Sequence, residues 1–436
     1  MTTYGGRDFW NEHVLRWPTV PLRKVAHLGT GHTPSRSEPD YWINCNIPWV
    51  TTADLTARLD SGLQPLMDTS QHISELGLAN SAAVLHPTDT VMLSRTASIG
   101  HSVRIGRPMA TTQAFVTWFC GPRLDPRYLL LVMNAMKPEF DRLAYGSTHL
   151  TIYFPDIEQL RVPLPPIEVQ RTIADYLATE TARIDSLIEK KQLMIERLEE
   201  RFESFVFTAV TQGIGHKGPT RQVRQKWVRE IPAHWGMPTV SMNFELQLGK
   251  MLNAESAEGP EQFPYLRNIN VQWDRFDVFD LATMHFGASD RARCELRPGD
   301  VLVCEGGEVG RAAVWAGALA NCYFQKAIHR VRPRSDANGR FLMYCLRAAA
   351  KQSVFNSEGN TSTIVHLTSE QLAIHRFPWP PPDEQKLIVE ALDAEAERLK
   401  TMLAVLQRQI ELLREHRQAL IAAAVTGEIE VPGVAA

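Results

Sequence analysis

Apolar residues recur in a four-three rhythm through two long stretches of this chain. In the first, Leu177, Ile184, Ile188, Ile195, Leu198, Phe202, Phe205 and Ala209 fall on one stripe, interrupted only by Thr181 and Lys191. In the second, Leu392, Ala396, Leu399, Leu403, Leu406, Ile410, Leu413, Leu420 and Ala424 do the same, with Arg417 intruding. Neither Pro nor Gly occurs between Gln170 and Thr211, whereas Pro163, Pro165 and Pro166 precede that span and Gly213 and Gly215 follow it. Pro is excluded from helix interiors and Gly favours their C-terminal stops, so the pattern predicts one helix roughly 60 Å long. A stripe that narrow, held over four heptads, requires a coiled-coil partner rather than a broad core face. Two such helices in one chain supply each other, and an intramolecular pair is expected.

The two stretches are copies. A shift of 215 residues lays Pro163–Ile214 on Pro378–Ile429 without a gap, and Gln170, Ile173, Leu177, Glu180, Arg183 and Thr211 all recur. The segment before each helix is duplicated more loosely. Leu28-Gly29 lines up with Leu248-Gly249, residues 47–55 with 263–271, and residues 85–94 with 296–305. Ser98-Ile99-Gly100 lines up with Glu308-Val309-Gly310, Thr112-Gln113 with Phe324-Gln325, and residues 127–136 with 340–349. Alternating runs bounded by Pro, Gly and Asp read as strands, and the 127–136 and 340–349 runs as short buried helices. The expected architecture is α+β: two globular domains of mixed helix and strand, 1–162 and 236–377, alternating with long helices in 163–214 and 378–436. Residues 215–235 form a connector. The globular copies keep their apolar framework and diverge in their polar loops, as one scaffold bearing two recognition surfaces does.

Charge sharpens this division. Each helical copy holds six Lys or Arg against nine Asp or Glu, the connector five against one, and segments 18–162 and 236–377 balance at twelve and fifteen of each sign. A net charge of −3 argues against an indiscriminate coat for nucleic acid. The six cysteines form no CxxC pair, no apolar run reaches membrane-spanning length, and the first residues lack a signal-peptide layout. A cytoplasmic protein is expected.

Catalytic signatures are missing from the sequence. No P-loop, HExxH, GxSxG or base-methylation motif is present, and Gly306-Gly307-Glu308-Val309-Gly310 reads as a turn. Pro382-Asp383-Glu384-Gln385-Lys386 holds fragments of a nuclease signature crowded into one helix start, where an acidic first turn suits the helix dipole. The chain reads as non-catalytic, binding neither cofactor nor metal.

Several landmarks together resemble the specificity subunits of Type I restriction-modification enzymes. The helical copies end in Ala209-Val210-Thr211-Gln212-Gly213-Ile214 and Ala424-Val425-Thr426-Gly427-Glu428-Ile429 after Pro-rich lead-ins. Gly31-His32-Thr33-Pro34, Tyr41-Trp42, Ile47-Pro48-Trp49, Ser94-Arg95 with Ile99-Gly100, Thr112-Gln113, and Glu230 to Trp235 follow that family's order. The second domain departs from it: no Thr-Pro follows Gly249, Tyr265 stands for Trp49, and Gly306 or Gly307 for Arg95. The resemblance implies two target-recognition domains about an antiparallel helix pair with approximate two-fold symmetry, reading an asymmetric bipartite site in double-stranded DNA. It also implies two modification (methyltransferase) subunits docked on the helices and carrying the S-adenosylmethionine, with restriction subunits able to join. The alternative from another class is a coiled-coil scaffold whose globular domains bind protein. Base reading is expected from His32, Arg36, Arg95, Gln113, Thr148 and His149 in the first domain. In the second it is expected from Lys250, Arg267, Asn268, Asn270, Arg311, Lys326 and Asn360, since Arg pairs with guanine and Asn or Gln with adenine. Gln113, matched by Gln325, is the candidate expected to be structural.

Overall fold

The structure is a computed structural model, and it describes residues 9–56, 63–146, 150–356 and 366–434. Among the described residues, nine strands precede the first long helix: β1 (Thr19–Pro21), β2 (Ala26–Thr30), β3 (Ile47–Val50), β4 (His72–Ile73), β5 (Val91–Ser94), β6 (Ser102–Arg104), β7 (Ala110–Thr111), β8 (Phe115–Cys120) and β9 (Arg161–Pro163). They form a four-stranded sheet in the order β2-β8-β5-β6, a three-stranded sheet β4-β3-β7, and the pair β1-β9. The connector holds a hairpin of β10 (Thr220–Gln222) and β11 (Glu230–Pro232). The second domain contributes β12 (Phe244–Leu248), β13 (Gln262–Leu266), β14 (Val271–Gln272), β15 (Arg275–Phe276) and β16 (Ala282–His285). After these come β17 (Val301–Cys304), β18 (Ala312–Val314), β19 (Tyr323–Phe324) and β20 (Ile328–Pro333). Its main sheets, β12-β20-β17-β18 and β16-β13-β19, repeat the plan of the first domain strand for strand.

The turns before β5 and β17 are where the Pro-Asp runs placed them, with Asp89 and Gly299 both at positive φ. The two expected short helices are Pro126–Ala135 and Gly339–Lys351. Asp125 and Asn338 cap their first amides, which leaves the apolar faces free to close over the four-stranded sheets.

Each long helix is continuous. The first spans Ile167–Gln212 and the second Pro382–Thr426, with Gly213 and Gly427 at positive φ just beyond their ends. The first therefore begins three residues before the expected Gln170. Its start is fixed by buried Gln170, whose Nε2 donates to Pro165 O at 2.8 Å and whose Oε1 accepts from Asp125 N at 2.9 Å. Gln385 repeats the first of these bonds to Pro380 O.

The chain divides into two compact units, residues 1–193 with 406–436, and residues 194–405. Each therefore holds one globular domain, part of the first helix and part of the second. Inside each unit the helix segments run antiparallel. In the first unit Asp185 lies 3.0 Å from Arg417 and Lys191 donates to Gln409 at 2.6 Å, so rising numbers on one helix meet falling numbers on the other. In the second, Phe202, Val206, Ala209 and Val210 share a core with Ile388, Val389 and Leu392. The predicted stripe is buried or half-buried throughout: Leu177, Ile184, Ile188, Phe202, Leu392, Leu406 and Ile410 fully, and Ile195, Leu198, Leu399, Leu403 and Leu413 in part. Past Phe202 it departs from the expected step. Val206 and Ile421 are buried where Phe205 and Leu420 were expected, because the domains close over the helix ends and widen the apolar face. The polar interruptions are each satisfied, buried Thr181 by donating to Leu177 O at 2.6 Å.

Candidate nucleic-acid interface

The polar loops of each domain leave its sheets at one edge. β2 and β5 flank β8 and run antiparallel to it, so their C-terminal ends emerge together beside the start of β8. β3 and β7 are parallel and leave through Thr51 and Thr112. Backbone bonds join these exits: His32 N donates to Thr111 O at 2.9 Å and Arg95 N to Ala114 O at 2.9 Å. His32, Arg95 and Gln113 are thereby brought into one cluster. Thr33 Oγ1 donates to Gln113 Oε1 at 2.8 Å, and Arg95 Nε donates to Gln113 O at 3.2 Å. The Arg95 guanidinium also reaches Ile152 O at 3.4 Å and lies 5.1 Å from the Phe154 ring. Exposed Arg36 stacks 4.6 Å from the Trp42 ring, and Trp49 Nε1 donates to His32 O. Thr148 and His149 lie outside the described residues, as does Asn360.

The second domain repeats the backbone bonds with different side chains. Lys250 N donates to Phe324 O at 3.1 Å, Glu305 N to Ala327 O at 3.0 Å, and Leu367 N to Glu305 O at 2.8 Å, where Ile152 N meets Arg95 O. This register corrects three matches drawn from sequence. Gly31, not Gly29, is the counterpart of Gly249; Gln113 is the counterpart of Lys326, not Gln325; and Arg95 is the counterpart of Glu305, not of Gly306 or Gly307. His32 corresponds to Lys250 and His101 to Arg311. Gln113 therefore has no glutamine match to mark it as structural. The two tight approaches agree with the glycine pair, since a Cβ on Gly31 would meet Thr111 O at 2.0 Å and one on Gly249 would meet the equivalent Phe324 O at 2.6 Å.

Among the second-domain candidates, five side chains are engaged within the protein, Arg267 among them. Asn270 is 4% exposed, accepting from Arg267 N at 2.9 Å and donating to Asp277 O at 3.0 Å. Asn268 donates to Gly306 O at 2.8 Å and accepts from Arg311 Nη2 at 2.8 Å. Arg311 pairs with Glu308 at 3.5 Å, and Glu308 accepts from Trp273 Nε1 at 2.6 Å. Lys250 pairs with Asp290 at 2.7 Å and donates to His285 O at 2.7 Å, its ammonium 5.4 Å from the Phe286 ring. These groups brace the loops. Lys326 is exposed, and half-exposed Arg267 donates to Asp280 O at 3.2 Å.

Burial depresses the imidazoles of His86, His101 and His329 below the ordinary histidine range. His329 is wholly buried and its Nε2 donates to Leu367 O at 2.7 Å, so the neutral form is the one the site holds. Among the described residues no group of three His, Cys, Asp or Glu is arranged to hold a metal ion, and no helix is long and apolar enough to cross a membrane.

Comparison with known proteins agrees with this double construction. Residues 15–197 and 244–411 match the family model described as the Type I restriction modification DNA specificity domain. The MjaIX specificity subunit of Methanocaldococcus jannaschii, from a type I restriction enzyme, is 23% identical over 262 residues, covering 59% of this chain and 57% of that protein. The EcoKI specificity subunit of Escherichia coli is 23% identical over 303 residues, covering 67% and 63%. The chain thus spans less than two thirds of the length of either relative. A solved chain from work on complex assembly and conformational transition of the type I R-M system aligns with a TM-score of 0.71 and 17% identity, covering 96% of this chain and 100% of that one. The HsdS subunit from Thermoanaerobacter tengcongensis aligns at 0.50 and 16%, covering 95% and 97%. At these identities the likeness is one of fold.

Proposed function

For this chain, which belongs to the Type I restriction-modification DNA specificity family, we propose the part of the subunit that selects an asymmetric, two-part DNA site. The observation that carries this reading is the pair of equivalently built loop edges, alike in backbone and unlike in side chains. One scaffold with two chemistries suits two different half-sites. In the first domain the readers are His32, Arg36, Arg95 and Gln113. In the second they are Lys326 and Arg267, held in place by Asn268, Asn270, Arg311 and Lys250.

The chain itself transfers no methyl group and cuts no strand. Two modification subunits carrying S-adenosylmethionine dock on the long helices, restriction subunits can join them, and the assembly works in the cytoplasm. Exposed apolar residues on those helices support docking there: Leu187, Leu193 and Met194 on the first, and Val405 and Leu412 on the second, all off the stripe that pairs the helices.

The test is to co-express the chain with its modification subunits and map methylated bases across a genome. An asymmetric motif of two short blocks separated by a fixed unread spacer is expected. A single uninterrupted motif, or robust methylation by the purified chain alone, overturns the reading.

A further inference from the structure

Arg95 and Glu305 occupy one structural position with opposite hydrogen-bonding polarity. Each follows the last residue of an equivalent strand, β5 or β17. Each donates its backbone N–H to the alanine opening the next strand connection, Ala114 or Ala327, and accepts at its carbonyl from Ile152 or Leu367. The residues before them, Ser94 and Cys304, accept from Gly100 and Gly310 in turn. The backbone therefore presents the two side chains in the same way within their own domains.

From here their settings differ. Arg95 is tied to Gln113 O and Ile152 O and lies over Phe154. The half-exposed Glu305 carboxylate has no hydrogen-bond partner among the described residues. Its loop is held from behind by Asn268 donating to Gly306 O and by Trp273 donating to Glu308, and Gly307 beyond it is exposed.

Resting on the reading of this edge as a DNA-facing surface, we propose that Glu305 is a specificity-determining residue, accepting a hydrogen bond from an exocyclic base amine in the second half-site. A carboxylate near a phosphate backbone is repelled unless it meets a donor. The major groove offers donors only from exocyclic amines, N4 of cytosine and N6 of adenine, whereas arginine seeks the acceptors of guanine. Replacing Arg by Glu at one scaffold position thus inverts which partner is sought in the groove, a donor in place of acceptors. Neighbouring exposed Lys326 supplies positive charge at the same edge.

The test maps methylation by the complete system carrying the unsubstituted chain, Glu305→Ala or Glu305→Arg. The unsubstituted system should require cytosine or adenine at one position of the second half-site, and the motif itself says which amine is read. Glu305→Ala, which removes the acceptor, should relax that position by about tenfold or more relative to the other bases, and Glu305→Arg should shift it towards guanine. The first half-site and the spacer should not change. If Glu305→Arg methylates nothing, Glu305→Ala alone decides. Retention of the original preference at every position in Glu305→Ala overturns the inference while leaving the two-part reading intact. Absence of a two-part motif in the unsubstituted system overturns both.

Discussion

The two joints between domain and helix pair share a plan and differ in chemistry. In the first unit Gln418 Nε2 donates to Asn134 O at 2.7 Å. At the equivalent positions of the second unit, Arg347 makes an ion pair with Glu203 at 2.8 Å, its guanidinium 4.9 Å from the Phe202 ring and 5.9 Å from Trp273. Arg127 and Arg340 form a second such pair of positions. Arg127 reaches exposed Asp175 at 2.6 Å, whereas Arg340 is clasped by Asp274 and Asp393, each at 2.7 Å. The neutral joint is insensitive to salt and cheap to lose. The charged one is half-buried, so removing either partner strands the other.

The largest difference lies in the helix stripe itself. Position 202 of the first helix corresponds to 417 of the second, and position 185 to 400. The first unit accommodates Arg417 because Asp185 faces it; the second has Phe202 and Lys400 there. Phe202→Arg should therefore destabilise the second unit by about 4 kcal/mol, through loss of packing and a like-charge encounter. Arg417→Phe combined with Asp185→Lys, which copies the second unit and strands no carboxylate, should change thermal unfolding little. Equal losses in the two variants would break the comparison. Leu198→Asp, at a half-exposed step of the same stripe, should fall between them.

Next in size is the joint. Arg347→Ala leaves Glu203 without its partner and should cost about 3 kcal/mol, against about 1 kcal/mol for Gln418→Ala, which removes one neutral hydrogen bond. Denaturant midpoints measured at low and high salt check this, since only the Arg347–Glu203 joint should respond to salt. At the loop edge proposed to read DNA, Arg95→Ala should lower base discrimination by about 1–3 kcal/mol in one half-site alone. A uniform loss of affinity with unchanged base preference would make Arg95 a phosphate contact.

The smallest effect is a pH dependence. His329 stands where the first domain has Val116, and burial holds its folded-state pKa below the unfolded one. The unfolded chain then binds the extra proton first as pH falls through the ordinary histidine range. Stability conferred by the neutral imidazole is present above that range and is lost as pH drops towards the folded-state pKa. His329→Gln should flatten the acid limb of the stability profile between pH 7 and 5. An unaltered slope would assign the acid sensitivity to His86 and His101.

Much of the fold was legible in the sequence, and the reason is periodicity. A long element repeats its signal many times, so the stripe from Leu177 to Phe202 and its copy stood out despite Thr181, Lys191 and Arg417. The edge residues were legible only as a class. Insertions in the loops carry the separation between equivalents from 218 (Thr30 to Leu248) down to 210 (Ser94 to Cys304) and back to 215 (Ile152 to Leu367). Short motifs cannot track such drift, which is how Arg95 was set against glycine instead of Glu305. Nor does sequence reveal which polar groups are engaged internally. Asn268, Asn270 and Arg311 have the composition of base readers, and only their hydrogen bonds identify them as supports.

The polar residues in the helix stripe also bear on how the chain reaches its native state. A seam of leucines and isoleucines alone is nearly degenerate: sliding one helix by a heptad restores apolar against apolar. Such a slip would set Asp185 against Ile410 or Ala424 in place of Arg417, and Lys191 against Met402 or His416 in place of Gln409. Each shifted arrangement leaves a charge without its counterpart in a partly dehydrated groove. The two contacts therefore act as index pins on a sliding scale. They shorten the lifetime of misaligned hairpins, and a chain in which both were replaced by leucine would fold more stably and align less faithfully.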